Sequence, residues 1–310
     1  MNRSPTEILT PPRTIAISGA SGLVGTAVAK ALAARGDRVL RLVRKPPGRD
    51  DIRWDPAGGT IDAPRLEGVA GVVHLAGESI ADGRWTAERK RRIRDSRVAG
   101  TRLLAEALSR LTRKPAVLVS ASAVGIYGDR GDEPLDESSA TGQGFLADVG
   151  REWEAATEPA AGAGIRVVLL RLGIVLAPHG GALAKMLPPF RLGLGGRLGR
   201  GTQWMSWITL DDAVRVVLAA LDRPDLAGPV NAVAPAPVTN AEFTRLLAAS
   251  VHRPAIFPVP AAALELLFGE MARAALLASQ RVLPRRLAAA GFVFEDPALG
   301  PALRRVVSRG

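Results

Sequence analysis

The sequence predicts an α/β fold: a doubly wound parallel sheet with a smaller, mainly helical C-terminal lobe. Three observations carry that prediction. A short β-rich run, Thr14 to Ser18, enters three glycines at three-residue spacing (Gly19, Gly22, Gly25) and leaves as a helix of small and apolar residues, Thr26 to Ala34. Apolar runs of strand length then alternate with helical stretches, a rhythm that builds βαβ units and hence parallel strands. From Pro178 onward the texture changes to glycine-rich and helical segments.

The glycine turn comes first. Gly19 lets the chain leave the strand in a tight turn, Gly22 lets backbone N–H groups approach a pyrophosphate, and Gly25 lets the helix pack against the sheet. Gly19, Ala20, Ser21, Gly22, Leu23, Val24 and Gly25 thus form a seat for phosphates at a helix N-terminus, where free N–H groups and the helix dipole favour negative charge. This strand–turn–helix context makes the first half a Rossmann-type dinucleotide-binding unit. Arg38 to Val43 is the second strand. About 20 residues after the turn, an acid would bind the ribose 2′-OH of NAD; the chain offers Arg44 and Lys45 instead. A guanidinium forks onto a 2′-phosphate, so the cofactor expected is NADP(H).

Ile52 to Trp54 reads as a short strand and Val69 to Leu75 as a buried one, ending in Ala76 and Gly77, small enough for a cofactor to cross. His74 reads as a packed strand residue. A long helix spans about Thr86 to Leu111, and Pro115 to Ser120 is a strand running into Ser120-Ala121-Ser122. Phe145 to Ala161 is helical and Arg166 to Leu172 a buried strand, followed by Val175. A helix opens at His179 and runs to about Phe190. The loop Gly193 to Trp204 carries so many glycines beside Arg197, Gln203 and Trp204 that its backbone reads as shaped around a ligand. Asp211 is the expected cap of a helix over 212–221. Gly228 to Val233 returns to the sheet, Thr239-Asn240-Ala241-Glu242 fits a capping box, and Pro260 to Gly291 is mostly helical with Pro284 as a break. The expected division is a dinucleotide-binding domain over 13–178, completed by about 205–235, and a lobe of 179–204 and 236–310.

Composition excludes several classes of function. The chain has 310 residues, 47% of them hydrophobic, enough for a full core. It has no cysteine, and its three histidines (His74, His179, His252) lack metal-ligand spacing, so no metal is expected. No apolar run is long enough to span a bilayer. Met1 to Pro12 lacks the apolar stretch of a signal peptide and reads as a frayed extension, so the expected location is cytoplasmic. The net charge of +11 is dense only between Arg84 and Arg97, without interleaved aromatics, which argues against nucleic acid as a partner.

These stretches together resemble the extended short-chain dehydrogenase/reductase superfamily, in its sugar-nucleotide epimerase-like group. The likeness runs over about residues 14 to 305. It rests on GASGLVG (19–25), HLAGESI (74–80), SASAVGIYG (120–128), WEAA (153–156), RLGIVL (171–176), FRLGLGG (190–196), GTQWMSWI (201–208) and RPAIFPVP (253–260). The resemblance implies NADP held by the glycine turn, by Val43 and Arg44, by Leu75, Ala76 and Gly77, by Arg97 of the long helix, and by Val175. It also implies pairing of the long helices that flank the sheet, hence a homodimer.

One departure bears on activity. The superfamily's Tyr-x-x-x-Lys pair, whose lysine lowers the tyrosine pKa while the tyrosine moves the proton, falls on Phe145 and Val149 here. Ser122 stands where the resemblance puts a substrate-polarising hydroxyl. Tyr127, the only tyrosine, is the one phenol available as a substitute, although a packing role is the simpler reading; Asp148 is a second candidate. Two functions follow. One is an NADP-dependent epimerase-like oxidoreductase acting on a polar, nucleotide-linked or other carbonyl or hydroxyl substrate held by Arg197, Gln203 and Trp204. The alternative is a redox-inert NADP-binding sensor or interaction module.

Overall fold

The computed structural model describes residues 12–310, so all but the last residue of the expected N-terminal extension lies outside it. Its centre is an eight-stranded sheet. The strands are β1 (Thr14–Ser18), β2 (Arg38–Val43), β3 (Asp51–Asp55), β4 (Thr60–Ile61), β5 (Gly71–His74), β6 (Val117–Ala123), β7 (Arg166–Leu172) and β8 (Gly228–Ala232). The order is β8-β7-β6-β5-β1-β2-β3-β4, parallel throughout except for the terminal β3–β4 hairpin. The chain passes from β1 to β2 on one side and then to β5 and β6 on the other. The carboxyl ends of β1 and β5 therefore flank the point where strand order reverses, which is where open α/β sheets bind ligands.

Strands buried on both faces need continuous apolar sequence, and β1, β5 and β6 supply it: Ile15, Ile17, Val73 and Val119 are fully or almost fully inaccessible. Helix α1 (Leu23–Ala34) covers one face with Val28 and Leu32, beside α5 (Leu210–Asp222). Helices α2 (Ala87–Ser109) and α3 (Phe145–Ala155) lie between these in sequence, and Leu104 and Leu108 of α2 fill the opposite face. Helix α4 (Gly181–Arg191) precedes the glycine-rich loop.

The remaining lobe is built from α6 (Asn240–Ser250), α7 (Ala261–Phe268) and α8 (Leu299–Ser308). Its core joins Leu183, Phe190, Trp207, Phe243, Leu247 and Leu303. Trp207–Thr209 pairs parallel with Ile174–Leu176, tying this lobe to the strand after β7. Among the described residues no helix is long and apolar enough to cross a membrane.

Two local expectations are corrected. Helix α5 is capped by Thr209, whose hydroxyl accepts from the Asp212 N–H, whereas the side chain of Asp211 accepts from Arg309 Nη1 at 2.9 Å. The stretch from Pro260 to Gly291 is less regular than expected: a single π-helical turn (272–276) and a short strand, Arg281–Val282, interrupt it. Thr239 does cap α6, accepting from Glu242 N–H at 3.3 Å, but the Glu242 carboxylate turns to Arg245 and leaves the box half closed.

Candidate functional site

The glycine turn at the end of β1 has no room for side chains. Gly19 has φ +71°, and a Cβ there would lie 2.7 Å from the carbonyl carbon of Leu75. A Cβ on Gly25 would lie 2.1 Å from the carbonyl oxygen of Gly19. The turn closes with Gly22 N–H donating to Gly19 O at 2.9 Å, and Thr26 Oγ1 donates to Ala20 O at 2.9 Å.

Helix α1 then starts at Gly22 with no side-chain cap and no acid in its first turn. By contrast, Thr86, Thr209 and Thr239 each cap a long helix. The N–H groups of Leu23, Val24 and Gly25 have no partner within their helix. Helices α3, α4, α7 and α8 also begin without a side-chain cap; what singles out α1 is its place at the carboxyl end of β1, where the residues present fit a dinucleotide pyrophosphate.

The neighbouring strand ends complete the rim. Leu75 and Ala76 abut Gly19, and Gly180 and Gly181, just beyond Val175, pack against the Leu23 side chain. The structure therefore brings Gly19, Ala20, Ser21, Gly22, Leu23, Val24, Gly25, Leu75, Ala76, Gly77 and Val175 to one edge, with Val43 and Arg44 at the end of adjacent β2. Arg44 is exposed and pairs with no carboxylate among the described residues, while Arg38 and Arg41 of the same strand are tied to Asp50 and Asp51 at 2.8 Å. A free guanidinium at this place fits a 2′-phosphate.

Arg97 turns inward. Its Nη1 donates to Glu78 O (2.9 Å) and Ile93 O (3.1 Å), its guanidinium lies 5.1 Å from the Trp153 ring, and a Cβ on Gly77 would touch it at 3.3 Å. Burial pulls its pKa down to about 10, so it remains charged at neutral pH. Its neighbours in the basic run are largely neutralised: Arg89 pairs with Glu78, Lys90 with Glu270 and Arg94 with Glu152.

The groups expected to move protons are placed differently. Ser122 is 1% exposed, and its hydroxyl donates to Glu154 Oε1 at 2.7 Å. Strand β6 is buried through Ser122 and surfaces only at its last residue, Ala123, so the hydroxyl is covered by the Glu154 side chain of α3. Tyr127 is completely buried. Its phenol accepts from Arg171 Nη1 (2.9 Å), and its one proton lies between Asp136 O (2.9 Å) and Asn231 Oδ1 (2.8 Å). Burial raises its pKa despite the facing Arg171. Each of these two hydroxyls is enclosed and already partnered within the chain. Asp148 is exposed and paired with Arg151. Phe145 packs against Trp85 (5.1 Å between ring centroids), with Lys90 Nζ 4.7 Å from its ring centroid, and Val149 is buried. His74 is buried between Ser18 Oγ (2.6 Å) and Thr101 Oγ1 (2.9 Å), a packed strand residue.

The three residues expected to hold substrate do not converge. Gln203 is 7% exposed, and its Nε2 donates to Leu198 O and Leu276 O, both at 3.2 Å. Trp204 donates Nε1 to Asp132 Oδ1 at 2.7 Å and packs under Arg281. Arg197 lines a separate groove against α6. The glycines of this loop are explained by the chain itself: a Cβ on Gly196 would lie 1.6 Å from Phe257 O, and one on Gly195 would enter the Phe190 ring. Gly199 N–H donates to Val259 O at 2.8 Å and Val259 N–H to Arg197 O at 2.9 Å. At Gly196 and Gly199 the loop packs against residues 257–259. Sequence reasoning missed Glu154 and Arg171, whose carboxylate and guanidinium meet at 2.8 Å in the interior, because a lone charge in a helix or strand carries no sign of its partner.

Comparison with known proteins adds kinship. Residues 15–233 match the family described as NAD dependent epimerase/dehydratase, and residues 259–306 match a domain of unknown function, DUF1731. An epimerase family protein of Mycobacterium tuberculosis, MT2273, is 45% identical over 296 residues, covering 95% of this chain and 98% of its own. The crystal structure of human epimerase family protein SDR39U1 with NADPH superposes with a TM-score of 0.89 at 35% identity, over 96% of this chain and all of that one. A nucleoside-diphosphate sugar epimerase structure from Corynebacterium glutamicum gives 0.81 at 38% identity, over 96% of this chain and 59% of that longer one.

Proposed function

Because the chain belongs to the NAD-dependent epimerase/dehydratase family, we propose that it is an NADP(H)-binding oxidoreductase-type protein acting on a small polar carbonyl or hydroxyl substrate. The observation that carries this reading is the bare N-terminus of α1, with the unpaired Arg44 one strand away. The likeness to a human relative crystallised with NADPH supports it. When bound, the cofactor supplies hydride exchange at its nicotinamide.

The chain's own residues do the holding. The N–H groups of Leu23, Val24 and Gly25 take the pyrophosphate, Arg44 takes the 2′-phosphate, and Leu75, Ala76, Gly77 and Val175 line the path. Arg97 adds a half-buried positive charge. The lobe formed by 179–204 and 236–310 covers the substrate side.

A second reading is a redox-inert NADP(H)-binding protein. It is favoured by Phe145 and Val149 together with the enclosure of Ser122 and Tyr127, which leave none of these four positions offering an accessible proton donor. One experiment separates the two. Purified protein is titrated calorimetrically with NADPH, then assayed for loss of reduced-nicotinamide absorbance across a panel of carbonyl and sugar-nucleotide compounds. Binding with turnover supports the first reading, and binding without turnover the second. Absence of heat for both NADPH and NADP+ overturns both.

A further inference from the structure

Arg197 and Thr244 open on a groove of about 360 Å³ on the C-terminal lobe, bounded by α6 and by residues 255–258. None of its lining residues belongs to the cofactor edge. The size lies at the lower end of small-molecule sites, about 300–1,000 Å³. Thr244 is 6% exposed and lines the groove, and its hydroxyl makes no hydrogen bond among the described residues. Arg197 makes one hydrogen bond, from Nη1 to Arg200 O at 3.3 Å, and pairs with no carboxylate among the described residues. Arg245, also on the wall, is neutralised by Glu242.

The rest of the wall is apolar: Ala241, Ala248, Ala255, Ile256 and Pro258. One wall residue, Ile256, is itself 70% exposed. Among the described residues seven large hydrophobic side chains are exposed, and four of them, Leu192, Leu194, Ile256 and Phe257, belong to the two segments that Gly196, Arg197, Gly199 and Val259 knit together. Soluble proteins seldom cluster such residues without an apolar ligand or partner to cover them. The charge around them is one-sided, since Arg191 and Arg253 also pair with no carboxylate among the described residues; Arg253 Nε donates to Arg191 O at 3.2 Å.

We propose that this groove is a binding site for a single soluble amphipathic anion, an alkyl or acyl chain headed by a phosphate. Arg197 and the Thr244 hydroxyl receive the head, and the alanine-lined floor with Ile256 and Pro258 receives the chain. The proposal does not depend on the cofactor assignment, because none of these groups lies at the glycine turn.

The test uses octyl phosphate as the probe, with inorganic phosphate and octanol as its two halves, titrated calorimetrically into the whole protein. Octyl phosphate is expected to bind at least ten times more tightly than either half. Arg197→Ala should weaken it at least tenfold, and Thr244→Val several-fold, with unchanged circular dichroism and melting temperature for both variants. A second arm offers vesicles of phosphatidylcholine with and without phosphatidylglycerol. Equal affinity of octyl phosphate for wild type and Arg197→Ala overturns the proposal. So does binding to anionic vesicles without binding to the monomeric probe, which would make the patch a membrane-surface contact.

Discussion

Ser122 Oγ donates to Glu154 Oε1 at 2.7 Å, and the same carboxylate takes Nε and Nη2 of Arg171, each at 2.8 Å. The side chains of Glu154 and Arg171 are 12% and 6% exposed, so strand β6, helix α3 and strand β7 are joined by an ion pair largely withdrawn from water. Removing one member of such a pair strands the other. Glu154→Ala is expected to cost about 3–5 kcal/mol of stability, while replacing Glu154 and Arg171 together by methionine should cost less than the single change. Urea denaturation of the three proteins decides it; a loss below about 1 kcal/mol for Glu154→Ala would mean that the pair is solvated and weak.

The Arg171 guanidinium also reaches the Tyr127 phenol, which shares its proton with Asn231 Oδ1 and Asp136 O. Tyr127→Phe leaves these buried groups short of a partner and should cost about 1–3 kcal/mol. NADPH affinity, and turnover wherever it is found, should not change. A fall in turnover at unaltered stability would return Tyr127 to the chemistry.

Burial lowers the pKa of His74 from 6.5 to about 4. The unfolded chain therefore binds a proton that the folded chain refuses between these values. Stability is full above pH 6.5, falls as pH drops through the window, and levels off below about pH 4, for a total near 3 kcal/mol. Denaturant titrations at pH 7, 5.5 and 4 should show a slope that is reduced in His74→Asn. An equal slope in the variant would place the acid sensitivity elsewhere.

Much of this was legible in the sequence, and the failures share a cause. The glycine turn and the Thr239 cap depend on neighbours a few residues away, so local pattern suffices, and the parallel strands follow from the repeated strand–helix rhythm. The enclosure of Ser122 depends on Glu154, 32 residues further along the chain on α3. Thr209 and Asp211 are both good caps, and only the backbone path selects the first. Gln203 and Trp204 sit in a loop whose glycines read the same whether a ligand or the Phe257–Val259 segment approaches them. Such contacts join residues far apart in the chain, and one sequence does not record the pairing.

The crowding at the glycine turn makes a graded prediction. Gly25→Ala places a methyl 2.1 Å from Gly19 O and Gly22→Ala places one 3.3 Å from it, both against backbone that cannot swing away. Gly25→Ala should lose about 1–3 kcal/mol or more of stability and most of its NADPH affinity. Gly22→Ala should lose less stability. Thermal melting with and without NADPH reads both, and a wild-type melting curve for Gly25→Ala would contradict the close approach of α1 to β1.

The proposed contact with the 2′-phosphate falls to Arg44, since Arg38 and Arg41 of the same strand pair with Asp50 and Asp51. A charged hydrogen bond contributes about 1.5–3 kcal/mol, so Arg44→Ala should weaken NADPH by roughly one to two powers of ten. NADH has no 2′-phosphate, so its affinity should stay nearly constant. Calorimetric titration of both cofactors into both proteins gives the difference directly. Because an exposed guanidinium also attracts the pyrophosphate at longer range, raising the salt concentration should shrink any common loss while preserving the NADPH-specific part. Equal losses for NADPH and NADH at high salt would remove the 2′-phosphate from Arg44 and leave Lys45, its exposed neighbour, as the next residue to change.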